Sequence, residues 1–234
     1  MSIFNFKHFK ITQAVSSMKV GTDAMLLGSM IQANDAKWAL DVGAGTGVIS
    51  LMVAQNYQVT IDAVELDELS FRECQFNFEN SPWRERLNAQ QADFILFETL
   101  KKYDLIFSNP PYYQTKLENA NRREAQAKHE RSLPMLPFIE KLDNVLADTG
   151  EIWLIVPFID GDKWTKGFIE KQIHLNSTVN ISGKRGDAPN RSVLKFSRKK
   201  TSVLIKDFTV REKDGKYSLE YIALTEAFHA NKLG

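Results

Sequence analysis

The sequence predicts an α/β protein: a mostly parallel sheet with helices on both faces. Three observations carry this. Strand-like apolar runs alternate with helical spacings from Trp38 to His174. A glycine-rich turn, Asp41-Val42-Gly43-Ala44-Gly45-Thr46-Gly47, joins a strand to a helix near the start of that series. After about Leu175 the pattern changes to short strands at 177–183, 192–198 and 201–206, with the Gly/Pro/Asn-bearing loop Gly183–Asn190 between the first two, which predicts a late antiparallel hairpin.

The elements follow in order. The first 30 residues form a prelude with a helix expected around Asp23–Gln32. Trp38–Gly43 is an apolar strand stopped by glycine, and Val48–Asn56 reads as a helix. Thr60–Leu66 alternates as a strand. Asp67–Asn80 has helical spacing, with Leu69, Cys74, Phe76 and Phe78 expected on or near its inward face. Leu87–Asp93 and Tyr103–Ser108 read as strands. Leu133–Ala147 is amphipathic through Leu136, Ile139, Leu142, Val145 and Leu146, and Thr149-Gly150 ends it. Glu151–Val156 is a strand closed by Pro157. Asp160–His174 and residues 218–229 are expected helices.

Composition bounds the rest. The chain has 234 residues, 43% hydrophobic and 25% charged, with a net charge of +1, so it can bury a core and carries no basic coat. The lone Cys74 excludes an internal disulfide and suits a reducing cytosol. The N-terminus lacks the pattern of a signal peptide, and the apolar runs fall far short of the roughly 20 residues of a membrane span. A soluble cytoplasmic protein is expected, without membrane or DNA as partner and with no obligatory protein partner. No cluster has metal-ligand spacing; His174 and His229 are isolated, and expected to be structural or surface residues.

The glycine loop and the acids after it suggest a ligand. Gly43, Gly45 and Gly47 are spaced G-x-G-x-G, not the G-x-G-x-x-G of a dinucleotide fold. A carboxylate at Asp41 would repel a pyrophosphate and suits a ligand with a cationic amino-acid end, such as S-adenosylmethionine (SAM). Glu65, ending the next strand, can accept both ribose hydroxyls of a nucleoside. Asp93, ending the third, can accept an adenine amine, with Phe94 beside the ring. Each acid alone could be an ordinary strand-end charge. Together they recur where open α/β sheets bind ligands.

These features resemble the class I SAM-dependent methyltransferases. The resemblance implies a Rossmann-like fold with a seven-stranded sheet over a core at 36–206, preceded by a capping segment at 1–35 and followed by an extension at 207–234, all within one domain, 1–234.

Asn109-Pro110-Pro111-Tyr112 follows the fourth strand and so faces the same cleft. It resembles the motif of methyltransferases that modify a nitrogen conjugated to a π system. Such a nitrogen is a poor nucleophile. The Asn109 amide oxygen and the Pro110 carbonyl can accept its N–H bonds and direct its lone pair to the methyl donor. The prolines stiffen the backbone, and Tyr112 offers a stacking face for a flipped base. Tyr113 has no assigned role. The motif alone fits adenine N6, cytosine N4, guanine N2 or a glutamine amide.

The prelude narrows this. F-K-I-T-Q at 9–13 and M-K-V-G-T-D-A-M-L-L-G at 18–28 resemble the opening of the adenine-N6 methyltransferases of the anticodon loop of a bacterial valine tRNA. That resemblance implies an adenine next to the anticodon as target, tRNA as partner, and Lys19, Thr22 and Asp23 closing over SAM. Arg122, Arg123, Lys128, His129 and Arg131, after the motif, and Lys184, Arg185 and Arg191, around the Gly183–Asn190 loop, are expected RNA contacts, with a solvated surface as the alternative for each run. Lys7, His8, Lys10, Arg198, Lys199 and Lys200 add charge.

Overall fold

The computed structural model describes residues 2–15, 19–110 and 135–233. Pro111, Tyr112, Tyr113, Arg122, Arg123, Lys128, His129 and Arg131 lie outside the described residues.

An antiparallel ribbon of β1 (Ile3–Asn5) and β2 (Lys10–Thr12) precedes α1 (Thr22–Met30). The core runs β3 (Trp38–Val42), α2 (Val48–Asn56), β4 (Thr60–Glu65), α3 (Glu68–Glu79), β5 (Leu87–Gln91) and β6 (Tyr103–Ser108). It continues with α4 (Met135–Val145), β7 (Leu146–Pro157), α5 (Gly161–Ile169), β8 (His174–Lys184), β9 (Arg191–Ser197), β10 (Leu204–Arg211) and α6 (Leu219–Thr225).

The main sheet has the order β10-β8-β9-β7-β6-β3-β4-β5. From β5 to β7 every neighbouring pair is parallel, and among the described strands of this sheet β9 alone runs against its neighbours, β7 and β8. The expected α/β sheet with a late antiparallel hairpin is therefore present, as β8 and β9. Two details differ from expectation. Among the described residues the sheet has eight strands, not seven. The eighth, β10, begins at Leu204 and pairs parallel with β8, reaching past residue 206 into the supposed extension. The apolar stretch at 201–206 signalled a strand but not its partner.

Strand alternation sorts the core into two layers. Ala39, Ile61, Ala63, Leu105, Phe107 and Ile155 face α1, α2 and α3, while Leu40, Val42, Val64, Ile106, Leu154 and Val156 face α4 and α5. Both faces are covered, which explains the continuous apolar strands.

The inward face of α3 departs from expectation. Leu69 and Phe76 are about half exposed, and the buried set is Ser70, Glu73, Cys74, Asn77 and Phe78. That set has the i, i+3, i+4, i+7, i+8 spacing of one helix face. Three of its members are polar, so a reading by hydrophobicity rotated the helix wrongly. Asp67 caps this helix by accepting from the Ser70 N–H at 2.9 Å.

α3 also constrains the glycine loop. Gly47 has φ +77°, and a Cβ there would lie 2.5 Å from Phe78 Cε1 and 2.8 Å from Cys74 Sγ. Gly45 has φ +57° but open space around it. Gly47→Ala should therefore cost about 2–5 kcal/mol, from left-handed strain plus overpacking, and Gly45→Ala about 1–2 kcal/mol from strain alone. Urea denaturation of the two variants checks this; equal losses would contradict the packing argument.

Candidate active site

The sheet order reverses between β3 and β6, which are neighbours while their chain continuations run to opposite sides. Open α/β sheets bind ligands at such a switch point, outside the C-terminal strand ends. Both sequence motifs fall there. Val42 pairs with Ser108, so the glycine loop and Asn109 leave adjacent strands at the same level. The buried Ser108 hydroxyl donates to the Val42 carbonyl at 2.7 Å and fastens the two exits together.

The loop is built for close approach. Gly43, Gly45 and Gly47 take φ of +72°, +57° and +77°, the left-handed region that other residues avoid. Cβ atoms at Gly43 and Gly45 would meet no atom within 4 Å, so their glycines leave a backbone surface bare. The loop leads directly into α2, with Gly47 at its N-cap and no capping side chain.

Glu65 holds this loop. Its Oε2 accepts the Gly45 N–H at 2.7 Å and its Oε1 the Asp67 N–H at 2.9 Å. A carboxylate oxygen has two acceptor positions, so both can still receive a ligand hydroxyl. Asp93 lies just past β5, where its Oδ1 accepts the Ile95 N–H at 2.9 Å and shapes a turn. Phe94 is buried, its ring edge-on to Phe138 at 5.3 Å. It serves as core beneath the turn rather than as a free face for an adenine.

Asp41 is also placed differently from a direct ligand contact. It is 1% exposed and accepts from the Ser50 hydroxyl of α2 at 2.7 Å. Burial pushes its carboxyl from the ordinary 3.8 up to about 7, with the Ser50 hydrogen bond opposing and the charge of Glu65 adding to the rise. Its visible action is to tie β3 to the first turn of α2.

The prelude lies against this loop. Asn77 Oδ1 accepts the Thr12 N–H at 2.8 Å, and its Nδ2 donates to the carbonyls of Thr12 at 3.0 Å and Thr46 at 2.9 Å. Lys19 and Thr22 are exposed and Asp23 half-buried near the start of α1. Asp23 pairs with Arg191 at 3.1 Å, joining α1 to the first residue of β9. That links an expected cofactor residue to an expected RNA contact. Arg185 meets Glu212 at 2.7 and 2.8 Å and Glu220 at 3.3 Å, so its guanidinium is engaged by carboxylates, while Lys184 is exposed. Reading along the sequence missed Ser50, Glu73, Asn77 and Ser108. The signal for the α3 pair was the 3–4 spacing with Cys74 and Phe78.

The fold and the site's position define a class I methyltransferase architecture. A predicted O-methyltransferase from Agrobacterium tumefaciens shares it at TM-score 0.67 with 16% identity, covering 90% of this chain and 98% of that one. The methyltransferase small domain family matches residues 9–161. Similarity is much higher to two proteins named tRNA1(Val) (adenine(37)-N6)-methyltransferase. The one from Tolumonas auensis is 37% identical over 97% of this chain and 96% of its own length. The one from a Flavobacteriaceae bacterium is 35% identical over 98% and 99%. The chain belongs to the methyltransferase small domain family and, within it, to the family of tRNA1(Val) (adenine(37)-N6)-methyltransferases.

The raised Asp41 carboxyl has a pH signature. Below 3.8 it is protonated folded and unfolded. Between 3.8 and about 7 the unfolded chain releases the proton that the folded chain keeps. Stability from this group is therefore lost as pH rises through that window and is level above it. Asp41→Asn should remove this slope, and Ser50→Ala, which deletes a bond favouring the carboxylate, should extend it to higher pH. Urea denaturation across the range measures both; an Asp41→Asn curve parallel to the parent's would contradict the assignment.

Proposed function

We propose that the protein transfers the methyl group of SAM to the exocyclic N6 of adenine 37 in tRNA1(Val), the reaction named for its relatives. The observation that carries the reading is the placing of Asn109 and the glycine loop on adjacent strand ends at the switch point. When bound, SAM supplies a methyl group on a positively charged sulfur.

The chain's residues suit that donor. The bare backbone of Gly43 and Gly45 accommodates it, Glu65 accepts its ribose hydroxyls, and Asp93 its adenine amine. Asp41 acts through the loop, by holding α2. Lys19, Thr22 and Asp23 cover the donor from the prelude.

Asn109 and the Pro110 carbonyl accept the two N–H bonds of the target amine and draw its nitrogen toward tetrahedral geometry. Held this way, the nitrogen would direct its lone pair at the methyl group that bound SAM would supply, with sulfur as the leaving group. The methylated amine is left positive and acidic, and loses its proton to water, so no general base is required. Pro111 and Tyr112, as motif residues, stiffen the exit and stack the base. Arg122, Arg123, Lys128, Arg131, Lys184, Arg185 and Arg191 contact RNA phosphates on this reading, with the two paired arginines exchanging a carboxylate for a phosphate.

Among the described residues no helix is long and apolar enough to cross a membrane. We assign the protein to the cytoplasm, as a single domain, 1–234, acting on tRNA without an obligatory protein partner.

The test is mass spectrometry of nucleosides after incubation with SAM and, in parallel, bulk tRNA, rRNA or a release factor. N6-methyladenosine in tRNA alone is expected; methylguanosine in rRNA or methylglutamine would replace the reading. Asn109→Ala should lower kcat by about 100-fold or more while calorimetry shows near-parental SAM affinity. Tyr112→Ala should lose activity with SAM binding retained. An active Asn109→Ala enzyme would refute the role given to its amide.

A further inference from the structure

We infer that Glu73 and Asn77 are positioning residues for cofactor capture: they hold the N-terminal cap in place over the glycine loop. The inference rests on the SAM reading above. Both side chains project from the inward face of α3, 7% and 3% exposed. Desolvating a carboxylate and an amide is costly unless their hydrogen bonds are met. Here they are met by the backbone of the prelude.

Glu73 Oε1 accepts the N–H of Ala14 at 2.5 Å and of Val15 at 2.9 Å. One turn along, Asn77 pairs with both backbone groups of Thr12 and also donates to the Thr46 carbonyl in the glycine loop. Gln13, itself buried, completes the arrangement by accepting the Val20 N–H at 2.7 Å. That bond ties Val20, next to the start of α1, to the end of the ribbon strand β2. Lys19 immediately precedes Val20, and Thr22 and Asp23 come two and three residues after it.

One helix face therefore refers the cap and the cradle to a common frame. The same helix begins just after Glu65, which holds Gly45. Three groups expected to touch SAM (the cap, the loop and the ribose acid) are thus fixed relative to α3. An apolar face would pack α3 against the sheet as well. It could not select the register of a segment whose own backbone groups need partners. The acceptors near Asn109 are carried by β6 and do not depend on this face. Loss of either side chain should therefore weaken SAM capture without slowing methyl transfer at saturating SAM.

The experiment is calorimetry with SAM, together with steady-state kinetics, on the parent, Glu73→Gln, Glu73→Ala, Asn77→Ala, Lys19→Ala and the Glu73→Ala/Lys19→Ala double variant. Glu73→Ala and Asn77→Ala should each raise the SAM Kd and KM about tenfold, with kcat at saturating SAM unchanged. Glu73→Gln, which keeps the acceptor oxygen but not the charge, should recover much of the loss. If Glu73 acts through the cap, the double variant should bind no worse than the weaker of its two single variants. Parental Kd in both alanine variants, a fall in kcat, or additive losses with Lys19→Ala would each overturn the inference. Should Glu73→Ala fail to fold, Glu73→Gln and Asn77→Ala carry the same comparison. A parent protein that does not bind SAM would sink the SAM reading itself; a binding parent with unmoved variants would sink only this one.

Discussion

The hydrogen bond from the Gly45 N–H to Glu65 is the point on which the site's geometry turns. Three left-handed glycines give the chain leaving β3 great freedom, and freedom is costly to remove. The end of β4 removes it. The Val64 carbonyl accepts from Gly43 at 2.8 Å and Ala44 at 3.2 Å, and the Glu65 carboxylate takes Gly45. The adjacent strand thus fixes the loop through its backbone and its last side chain. On the proposed reading the same carboxylate also accepts from a nucleoside ligand, so the group that shapes the cradle would read what lies in it.

On the proposed reading, a second constraint sets the distance between donor and acceptor. β3 and β6 run side by side although four elements intervene in sequence. Parallel neighbours lie about 4.8 Å apart. A glycine loop leaving one and Asn109-Pro110 leaving the other must therefore open into one cleft. The Ser108 hydroxyl adds a bond between the strand ends where the ladder stops. Chemistry that depends on aligning a nitrogen with a methyl group needs such a rigid base.

Much of this was legible in the sequence. The alternation from Trp38 onward, the glycine spacing, the acids at strand ends and the Asn109-Pro110 exit are local signals, and the fold follows from them. What was hidden depends on partners distant in sequence. The inward face of α3 is polar because it meets the prelude's backbone, some 60 residues away in the chain. Hydrophobicity does not mark Glu73 and Asn77 as buried; only their spacing from Cys74 and Phe78 places them on the inward face. Asp41 and Phe94 sit where the motif spacing puts them, but which way they face is decided by Ser50 and Phe138. Strand β10 was visible as a strand, while its parallel seat beside β8 is a matter of topology.

Charge pairing explains how a chain of net charge +1 could serve an RNA. Arg185 is exposed and rests on Glu212 and Glu220, whose bonds raise its already high proton affinity and lower that of Glu212. Exposed pairs of this kind contribute little to stability because water and salt screen them. An incoming phosphate therefore has a weak competitor to displace. Arg191 differs, since it is partly buried and its partner Asp23 belongs to the cap. A phosphate reaching Arg191 would, on the proposed reading, act on the segment assigned to cover the donor. On the proposed reading, RNA binding and cofactor closure then share one ion pair, and neither requires the broad basic surface that the composition lacks.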